Sequence, residues 1–282
     1  MSKIKIDHIT IASEDLAPQE QQLGTIGLNT NYGGRHSNGI THMSMASFPD
    51  GSYIELIAKA QTARPSPLWN RAIVENAGIC AWAIETSDVA LECQRLINLG
   101  VPVQAPQYMH RQTPAGTQAE WDLAFIGSHE PGAKLPFIIK DRTARNIRVP
   151  ITSAPDSELT GIHYIILGVQ DLGAAINLFR QIYQLSAPTL MAENYLAAQL
   201  AYFTDAPIML TTPQSHSMGQ LSQKLHTFGD IPSGLLIGTN DMRRTKLRLS
   251  PRISNHTEIA GKEVIWLNSA TLIGTNIGFI ST

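Results

Sequence analysis

The sequence predicts an α+β fold built from four βαβββ units that pair into two tandem domains. Four segments share one order of features: an apolar strand, an aspartate beside a hydrophobic residue, and a helix-like stretch. They read IDHITIASEDL (6–16), ICAWAIETSDV (79–89), IHYIILGVQDL (162–172) and LLIGTNDM (235–242). Because short strand-like segments joined by turns follow each of them, we interpret the chain as repeats of one supersecondary unit.

Each unit carries a start signal for its helix. Aspartates stand at the predicted N-cap positions, namely Asp15, Asp88, Asp171 and Asp241. A carboxylate there accepts hydrogen bonds from the free N–H groups of the first helical turn. Hydrophobic residues recur at helical spacing after it, as in DVALECQRLINLG and DLGAAINLFRQIYQL. We therefore expect one helix after the first strand of every unit.

A linker is predicted between the second and third units. The stretch RVPITSAPDSEL contains two prolines and several small polar residues, which is typical of a connection between domains. It divides the chain into an N-terminal domain at 1–147 and a C-terminal domain at 160–282, with 148–159 as the linker. We expect the candidate site in the N-terminal domain.

Composition excludes several classes of protein. Of the 282 residues, 43% are hydrophobic and 16% are charged, and the net charge is −2. This balance offers no basic surface for nucleic acid and no apolar run long enough for a membrane span. Two cysteines do not make a disulfide scaffold or a metal motif. We expect a cytoplasmic monomer or homodimer whose partner is a small-molecule ligand.

A lone carboxylate in an apolar strand is the strongest local signal of a site. Glu55 lies at the centre of the strand SYIELIA, where an unpaired buried carboxylate would be costly. Strand alternation places His8 and Thr10 on one face of the first strand, with the isoleucines on the other. We expect the isoleucine and leucine faces to pack under helices, so that His8 and Glu55 line a cavity.

The position of His42 depends on the turn before Glu55. A two-residue Asp50-Gly51 turn pairs Glu55 with Ala46 and directs His42 into the cavity, whereas a three-residue Pro-Asp-Gly loop directs it outward. We expect the first alternative, with Met43 and Met45 on the helix side. It would bring His8, His42 and Glu55 onto one face as a two-histidine, one-carboxylate set, although the spacing disfavours direct coordination by all three.

The repeated order of one strand, one helix and three strands resembles that of the vicinal oxygen chelate superfamily. In that superfamily, paired βαβββ units enclose a metal and substrate cavity. The fold class is therefore expected to be two tandem glyoxalase/dioxygenase-like domains. The N-terminal half is similar to the glyoxalase-like branch through IDHITIAS with Asp15-Leu16, GGRH (33–36), DGSYIELIA (50–58), GTQAEWDL and LPFIIKD. This resemblance covers residues 4 to about 141. The C-terminal half resembles the superfamily through its repeats alone.

The resemblance implies four metal-ligand positions, two from each unit of a domain. His8 and Glu55 occupy the first two, but Ala81 occupies the third, and Phe137 or Ile138 the fourth. Two protein ligands are too few for a structural site, and catalytic sites usually have three. In the C-terminal half, Tyr164, Met209 and Gly234 take the corresponding places, so we expect a degenerate, non-catalytic copy.

His42 and four further residues are candidates for substrate binding. Arg35 and His36 follow two glycines and stand where the resemblance implies the cavity mouth. Arg111 and Trp121 lie on strands of the second unit, where inward placement would supply an anion contact and an aromatic wall. The alternatives are a loop histidine, surface arginines and a core tryptophan.

Three functions are compatible with this pattern. The first is an enzyme of the glyoxalase-like class with lyase or isomerase chemistry, in which His8 and Glu55 hold one divalent metal (zinc, nickel, manganese or iron) or act as an acid/base pair without a cofactor. The second is a metal-free protein that binds or sequesters a small ligand. The third is an iron-dependent ring-cleaving dioxygenase, which is disfavoured because no third ligand stands at a standard position.

Overall fold

Two curved sheets with helices form the protein in a computed structural model, which describes residues 4–60, 64–154, 156–214, 219–268 and 274–282. Within these residues each sheet has eight strands, in the orders β2-β3-β4-β1-β5-β8-β7-β6 and β10-β11-β12-β9-β13-β16-β15-β14. The predicted fold class, two tandem domains of paired βαβββ units, is confirmed.

The N-terminal sheet and its helices come from the first two units. In chain order the elements are β1 (Ile6–Ala12), α1 (Leu16–Thr25), β2 (Asn31–Arg35), β3 (Thr41–Ser47), β4 (Tyr53–Lys59), α2 (Asn70–Val74), β5 (Gly78–Glu85), α3 (Val89–Asn98), β6 (Gln107–Gln112), β7 (Gln118–Ala124), β8 (Phe137–Asp141) and α4 (Arg145–Arg148). Strands β1 and β5, which open the two units, pair antiparallel at the centre of the sheet.

The C-terminal sheet repeats this arrangement. Its elements are β9 (Leu159–Gly168), α5 (Leu172–Tyr183), β10 (Thr189–Glu193), β11 (Ala198–Tyr202), β12 (Ile208–Pro213), α6 (Gln220–Phe228), β13 (Ile231–Thr239), α7 (Met242–Leu249), a 3₁₀ turn (Ser250–Arg252), β14 (Ile253–Ile259), β15 (Lys262–Leu267) and β16 (Asn276–Ser281). In the described part of the chain, no helix is both long and apolar enough to cross a bilayer.

The predicted aspartate N-caps are confirmed in all four units. Each carboxylate accepts a main-chain N–H of the first turn that follows it: Asp15 from Ala17, Asp88 from Leu91, Asp171 from Ala174 and Asp241 from Arg244. This hydrogen bond satisfies a donor that the helix itself leaves free. The repeated Asp is therefore the local signal that ends a strand and starts a helix.

One hydrophobic core joins the two halves. It contains isoleucines and leucines of both central strand pairs, such as Ile9 and Ile165, together with the apolar faces of the helices. Trp82 of β5 stacks on Phe179 of α5, with ring centroids 6.5 Å apart. Hydrogen bonds also cross between the halves, for example from the Arg95 guanidinium to the Ile182 carbonyl at 2.7 Å.

The concave face of the C-terminal sheet is filled by its own side chains. Met209 is fully buried there, and Tyr164 packs beside it. Tyr195 stacks on Trp266 with centroids 5.3 Å apart. Apolar and aromatic groups thus occupy the places that correspond to His8 and Glu55.

The segment predicted as a linker packs against both halves. Arg148 and Val149 are buried against the N-terminal sheet, and the Thr152 hydroxyl accepts the Ser47 N–H at 2.7 Å. Glu158 is buried and accepts from Arg248 of α7 at 2.8 Å. The domain boundaries at 147 and 160 stay a prediction.

Trp82→Ala is expected to lower the free energy of unfolding by about 3–5 kcal/mol, because it removes a fully buried indole from the shared core. Urea unfolding followed by circular dichroism measures the loss. Ile97→Ala is the control, since Ile97 is 52% exposed on α3 and its truncation should change stability by about 0.5 kcal/mol or less. A loss below about 1 kcal/mol for Trp82→Ala would show that this contact does not support the core.

Candidate functional site

The concave face of the N-terminal sheet encloses a cavity of about 410 Å³. Its lining includes two imidazoles, one carboxylate and two guanidinium groups, namely His8, His36, Glu55, Arg111 and Arg148. The rest of the wall is mainly apolar, and its aromatic members are Tyr53, Trp69, Trp121, Phe125 and Phe137. A mainly apolar cavity with a few converging polar groups is the usual form of a small-molecule site.

The register between β3 and β4 decides which residues enter this cavity. Glu55 pairs with Met45, because the connection is the three-residue Pro-Asp-Gly loop. Gly51 has φ +88°, a conformation that closes such loops and that other residues rarely adopt. The expectation of a two-residue turn is therefore wrong. Met43 and Met45 face the cavity side with Glu55, where they cluster with Tyr53, and not the helices.

This register takes His42 out of the cavity. His42 pairs with Ala58 on the opposite face of the sheet, and its ring lies at the edge of Tyr32 with centroids 5.9 Å apart. Burial and the nearby Arg35 lower the pKa of His42. Arg35 itself is exposed and does not line the cavity. A set of His8, His42 and Glu55 on one face is thus not formed.

A bulge in β1 brings two consecutive side chains together. Ile6 pairs with Ile84 and His8 pairs with Ala83, so Asp7 is an extra residue in the ladder. Ordinary strand alternation would direct Asp7 and His8 to opposite faces, but a bulge re-aims a side chain. The Asp7 Oδ1 lies 2.6 Å from His8 Nδ1. Since an ionised carboxylate can only accept, Nδ1 is the ring nitrogen that donates in this hydrogen bond.

Two arginines hold Asp7 in its charged form. Asp7 is completely buried and accepts from Arg148 Nη2 at 2.7 Å and from Arg145. Burial by itself raises the pKa of this carboxyl, but the Arg148 charge and the His8 hydrogen bond outweigh it and hold the pKa well below its usual range. The Arg148 guanidinium also contacts Asp141 and the Tyr53 hydroxyl.

Glu55 lies between two imidazoles. Its Oε2 is 3.8 Å from His8 Nε2, and its Oε1 is 3.5 Å from His36 Nε2. The Thr10 hydroxyl donates to Oε2 at 2.9 Å. Burial raises the pKa of Glu55, but the contact with His36, the charge of His8 and the Thr10 hydrogen bond together lower it to about 2. Glu55 is therefore an anion at neutral pH.

The other sequence candidates divide into two groups. The structure brings His36, Arg111 and Trp121 to the cavity wall with His8 and Glu55. His36 is fixed by the Thr41 hydroxyl, which lies 2.8 Å from its Nδ1. Arg35 and His42 lie outside this wall.

The donor set does not fit the metal site of the family. Ala81 is paired with Thr10 at the third implied position and has no donor atom. At the fourth, Phe137 faces the cavity while Ile138 packs in the core. Within the described residues, no group of three or more His, Cys, Asp or Glu side chains is arranged to hold a metal ion. The two remaining ligand residues are fewer than the three that a catalytic metal site usually has.

Sequence reasoning missed three residues of the site. Asp7 was missed because strand alternation puts it on the face opposite His8, and alternation does not predict the bulge. Arg148 was placed at the start of the linker, although it supports Asp7. Trp69, at φ +54°, forms part of the wall and donates its indole N–H to the Pro131 carbonyl at 2.7 Å. Its strained backbone is the kind of feature that clusters at binding sites, but only the structure shows it.

A family profile described as a glyoxalase-like domain matches residues 6–183, more than half of the chain. This chain belongs to the glyoxalase-like domain family. The match reaches beyond the motif resemblance of residues 4 to about 141 and includes β9 and α5. The resemblance to the vicinal oxygen chelate superfamily is therefore confirmed.

Solved structures share the tandem fold. A hypothetical protein from Staphylococcus aureus matches with a TM-score of 0.64 and 13% identity, over 99% of this chain and 100% of that one. A variant of 4-hydroxymandelate synthase from Streptomyces coelicolor matches with a TM-score of 0.67 and 14% identity, over 100% of this chain and 93% of that one. At such identities the likeness concerns the fold alone. No curated protein matches the chain.

Asp7→Asn is expected to shift the neutral His8 ring towards the tautomer with its proton on Nε2, because the amide no longer requires Nδ1 as a donor. Two-dimensional ¹⁵N–¹H spectra of histidine-labelled protein report the tautomer. Asp141→Asn is the control, since Asp141 contacts Arg148 but makes no hydrogen bond to His8. An unchanged tautomer in Asp7→Asn would show that Asp7 does not fix this ring.

Glu55→Gln is expected to change the pH dependence of stability. The pKa of Glu55 in the folded state, about 2, lies below the ordinary value of 4.5. Its carboxylate therefore contributes stability that is fully present above pH 4.5 and is lost as the pH falls towards 2, up to about 3 kcal/mol.

Urea unfolding of the wild type and of Glu55→Gln between pH 2 and 7 measures this contribution. The difference between the two proteins should be largest above pH 4.5 and shrink below it. Glu75→Gln, on an exposed helix end, controls for the loss of a carboxylate as such. A difference for Glu55→Gln that stays constant over this pH range would contradict the assignment.

Proposed function

We propose that this protein is an enzyme that moves a proton on a small carbonyl compound, as lyases and isomerases do. The observation that carries the proposal is the convergence of His8, Glu55 and His36 at one end of a largely apolar cavity. Titratable groups that face each other in such a cavity are typical of acid–base catalysis.

The geometry supports a distinct role for each group. The neutral His8 ring acts as the base through Nε2, because its Nδ1 donates to Asp7. Glu55 is too weak a base at a pKa of about 2, so it stabilises the imidazolium that forms when His8 takes a proton. His36, on the other side of Glu55, is placed to return a proton to the product.

The surroundings favour this chemistry. His8 stacks on Tyr53 with ring centroids 4.6 Å apart and meets the edge of Phe137 at 5.2 Å. These contacts fix the plane of the imidazole, and fixed groups avoid reorganisation during reaction. An apolar wall excludes water, so the charges at this end of the cavity interact more strongly than they would in solution.

A metal-free binding protein is the second candidate. It is favoured by Ala81 and Phe137, which replace donor residues at two implied ligand positions with apolar groups. In that case the cavity would hold its ligand without changing it, and His8 would serve as a hydrogen-bonding group.

Proton exchange with solvent separates the two candidates. Small carbonyl compounds that raise the melting temperature of the protein are incubated with it in D₂O, and loss of C–H signals is followed by proton NMR. The wild type should catalyse exchange next to the carbonyl group, and His8→Gln should be slower by about 10²–10⁴-fold.

His42→Gln is the matched control, because His42 belongs to the same sheet but lies outside the cavity wall. It should exchange at the wild-type rate. Treatment with a chelator should leave the rate unchanged. Ligands that bind without any exchange would support the binding protein, and equal rates for His8→Gln and wild type would remove His8 from the mechanism.

A further inference from the structure

We propose that the ligand of this cavity is a small monocarboxylate with an apolar body, whose carboxylate binds Arg111. The inference rests on the same cavity as the proposed function and names the class of molecule that it takes. It begins from a buried positive charge that the described residues leave without an ion-pair partner.

Arg111 is buried and contacts only main-chain oxygens through hydrogen bonds. It is 3% exposed and lines the cavity. Its Nη1 donates to the Gly33 carbonyl and its Nη2 to the Arg148 carbonyl, the latter at 2.7 Å. Among the described residues, it makes no ion pair with a carboxylate within 4.0 Å. The Glu55 carboxylate acts on this charge only from beyond ion-pair distance. Burying a charge without a paired carboxylate is costly, and an anionic ligand would lower that cost.

The neighbouring arginine is different. The Arg148 guanidinium uses all three nitrogens on protein groups, namely Asp7, Asp141 and the Tyr53 hydroxyl. Its hydrogen bonds hold Asp7 in place beside His8. Of the arginines that line the cavity in the described structure, Arg111 is the one whose charge is left for a ligand.

Gly33 of β2 lies against this guanidinium and two methionines. A Cβ at Gly33 would lie 2.7 Å from the Met45 methyl group, 2.8 Å from the Met43 methyl group and 3.1 Å from Arg111 Nη1, so a larger residue would displace the methionines and crowd the guanidinium. The two main-chain acceptors hold the guanidinium plane in place. A preorganised guanidinium binds a planar carboxylate well, because its N–H groups form a fork of matching geometry.

The remaining wall defines the body of the ligand. Trp69, Trp121, Phe125 and Phe137 provide flat apolar surfaces, and about 410 Å³ is enough for a compact molecule of this kind. A single guanidinium suits a monoanion. A phosphate dianion would call for further free donors, and Arg148 does not supply them.

Binding of matched acids and amides tests the proposal. The probes are 3-phenylpropionate and 4-methylpentanoate, their neutral primary amides, and benzyl phosphate, measured by calorimetry. In the wild type each carboxylate should bind about tenfold or more tightly than its amide, and more tightly than benzyl phosphate. In Arg111→Gln the preference for acid over amide should fall to about onefold, whereas Arg111→Lys should keep part of it.

The ratio of acid to amide affinity within one protein is insensitive to a general loss of folded protein. Arg35→Gln is the matched control, because this exposed arginine lies outside the cavity and should keep the wild-type ratio. Equal binding of acid and amide by the wild type, an unchanged preference in Arg111→Gln, tighter binding of the phosphate, or no binding of any probe would each overturn the proposal.

The same ratio in His8→Gln separates this inference from the proposed function. A preference for the acid that persists in His8→Gln, while the wild type shows no proton exchange, would retain the monocarboxylate site and reject the enzyme. Exchange without a preference for the acid would retain the enzyme and reject the role of Arg111.

Discussion

The buried carboxylate of Asp7 is the interaction on which the N-terminal site depends. A completely buried anion is stable only when opposite charges and hydrogen bonds surround it, and Arg145, Arg148 and His8 provide them. Arg148 comes from the end of the N-terminal unit pair, so this ion pair ties the first strand of the sheet to the segment that leaves it. Asp7 also accepts a hydrogen bond from His8 Nδ1, so the same buried carboxylate supports both the sheet and the cavity wall.

The chain contains two copies of the same curved sheet, and the side chains on their concave faces differ. In the N-terminal copy, a cavity of about 410 Å³ lies beside Glu55. In the C-terminal copy, Met209, Tyr164 and Trp266 fill the corresponding space. The concave face of the C-terminal sheet is therefore covered by its own side chains, whereas that of the N-terminal sheet keeps a cavity.

Burial and neighbouring charges have opposite effects on the ionisation of Glu55, which lies on the concave face of the N-terminal sheet. Removal from water favours its neutral form, yet two imidazoles and the Thr10 hydroxyl keep it ionised. Because the Glu55 carboxylate lies beside His8, it stabilises a positive charge on the His8 imidazole.

The sequence by itself determined the repeat, the aspartate N-caps and the unusual position of Glu55, because strand alternation and capping are local rules. It also indicated His8, His36, Arg111 and Trp121 as candidates, and the structure brings all four to one cavity wall. Tertiary structure decided the rest. The Pro-Asp-Gly loop shifted one register and removed His42, the bulge at Asp7 turned a side chain inward, and Arg148 joined the site from outside the predicted domain. A one-residue change in pairing reverses which face a side chain occupies, and local sequence does not fix that change.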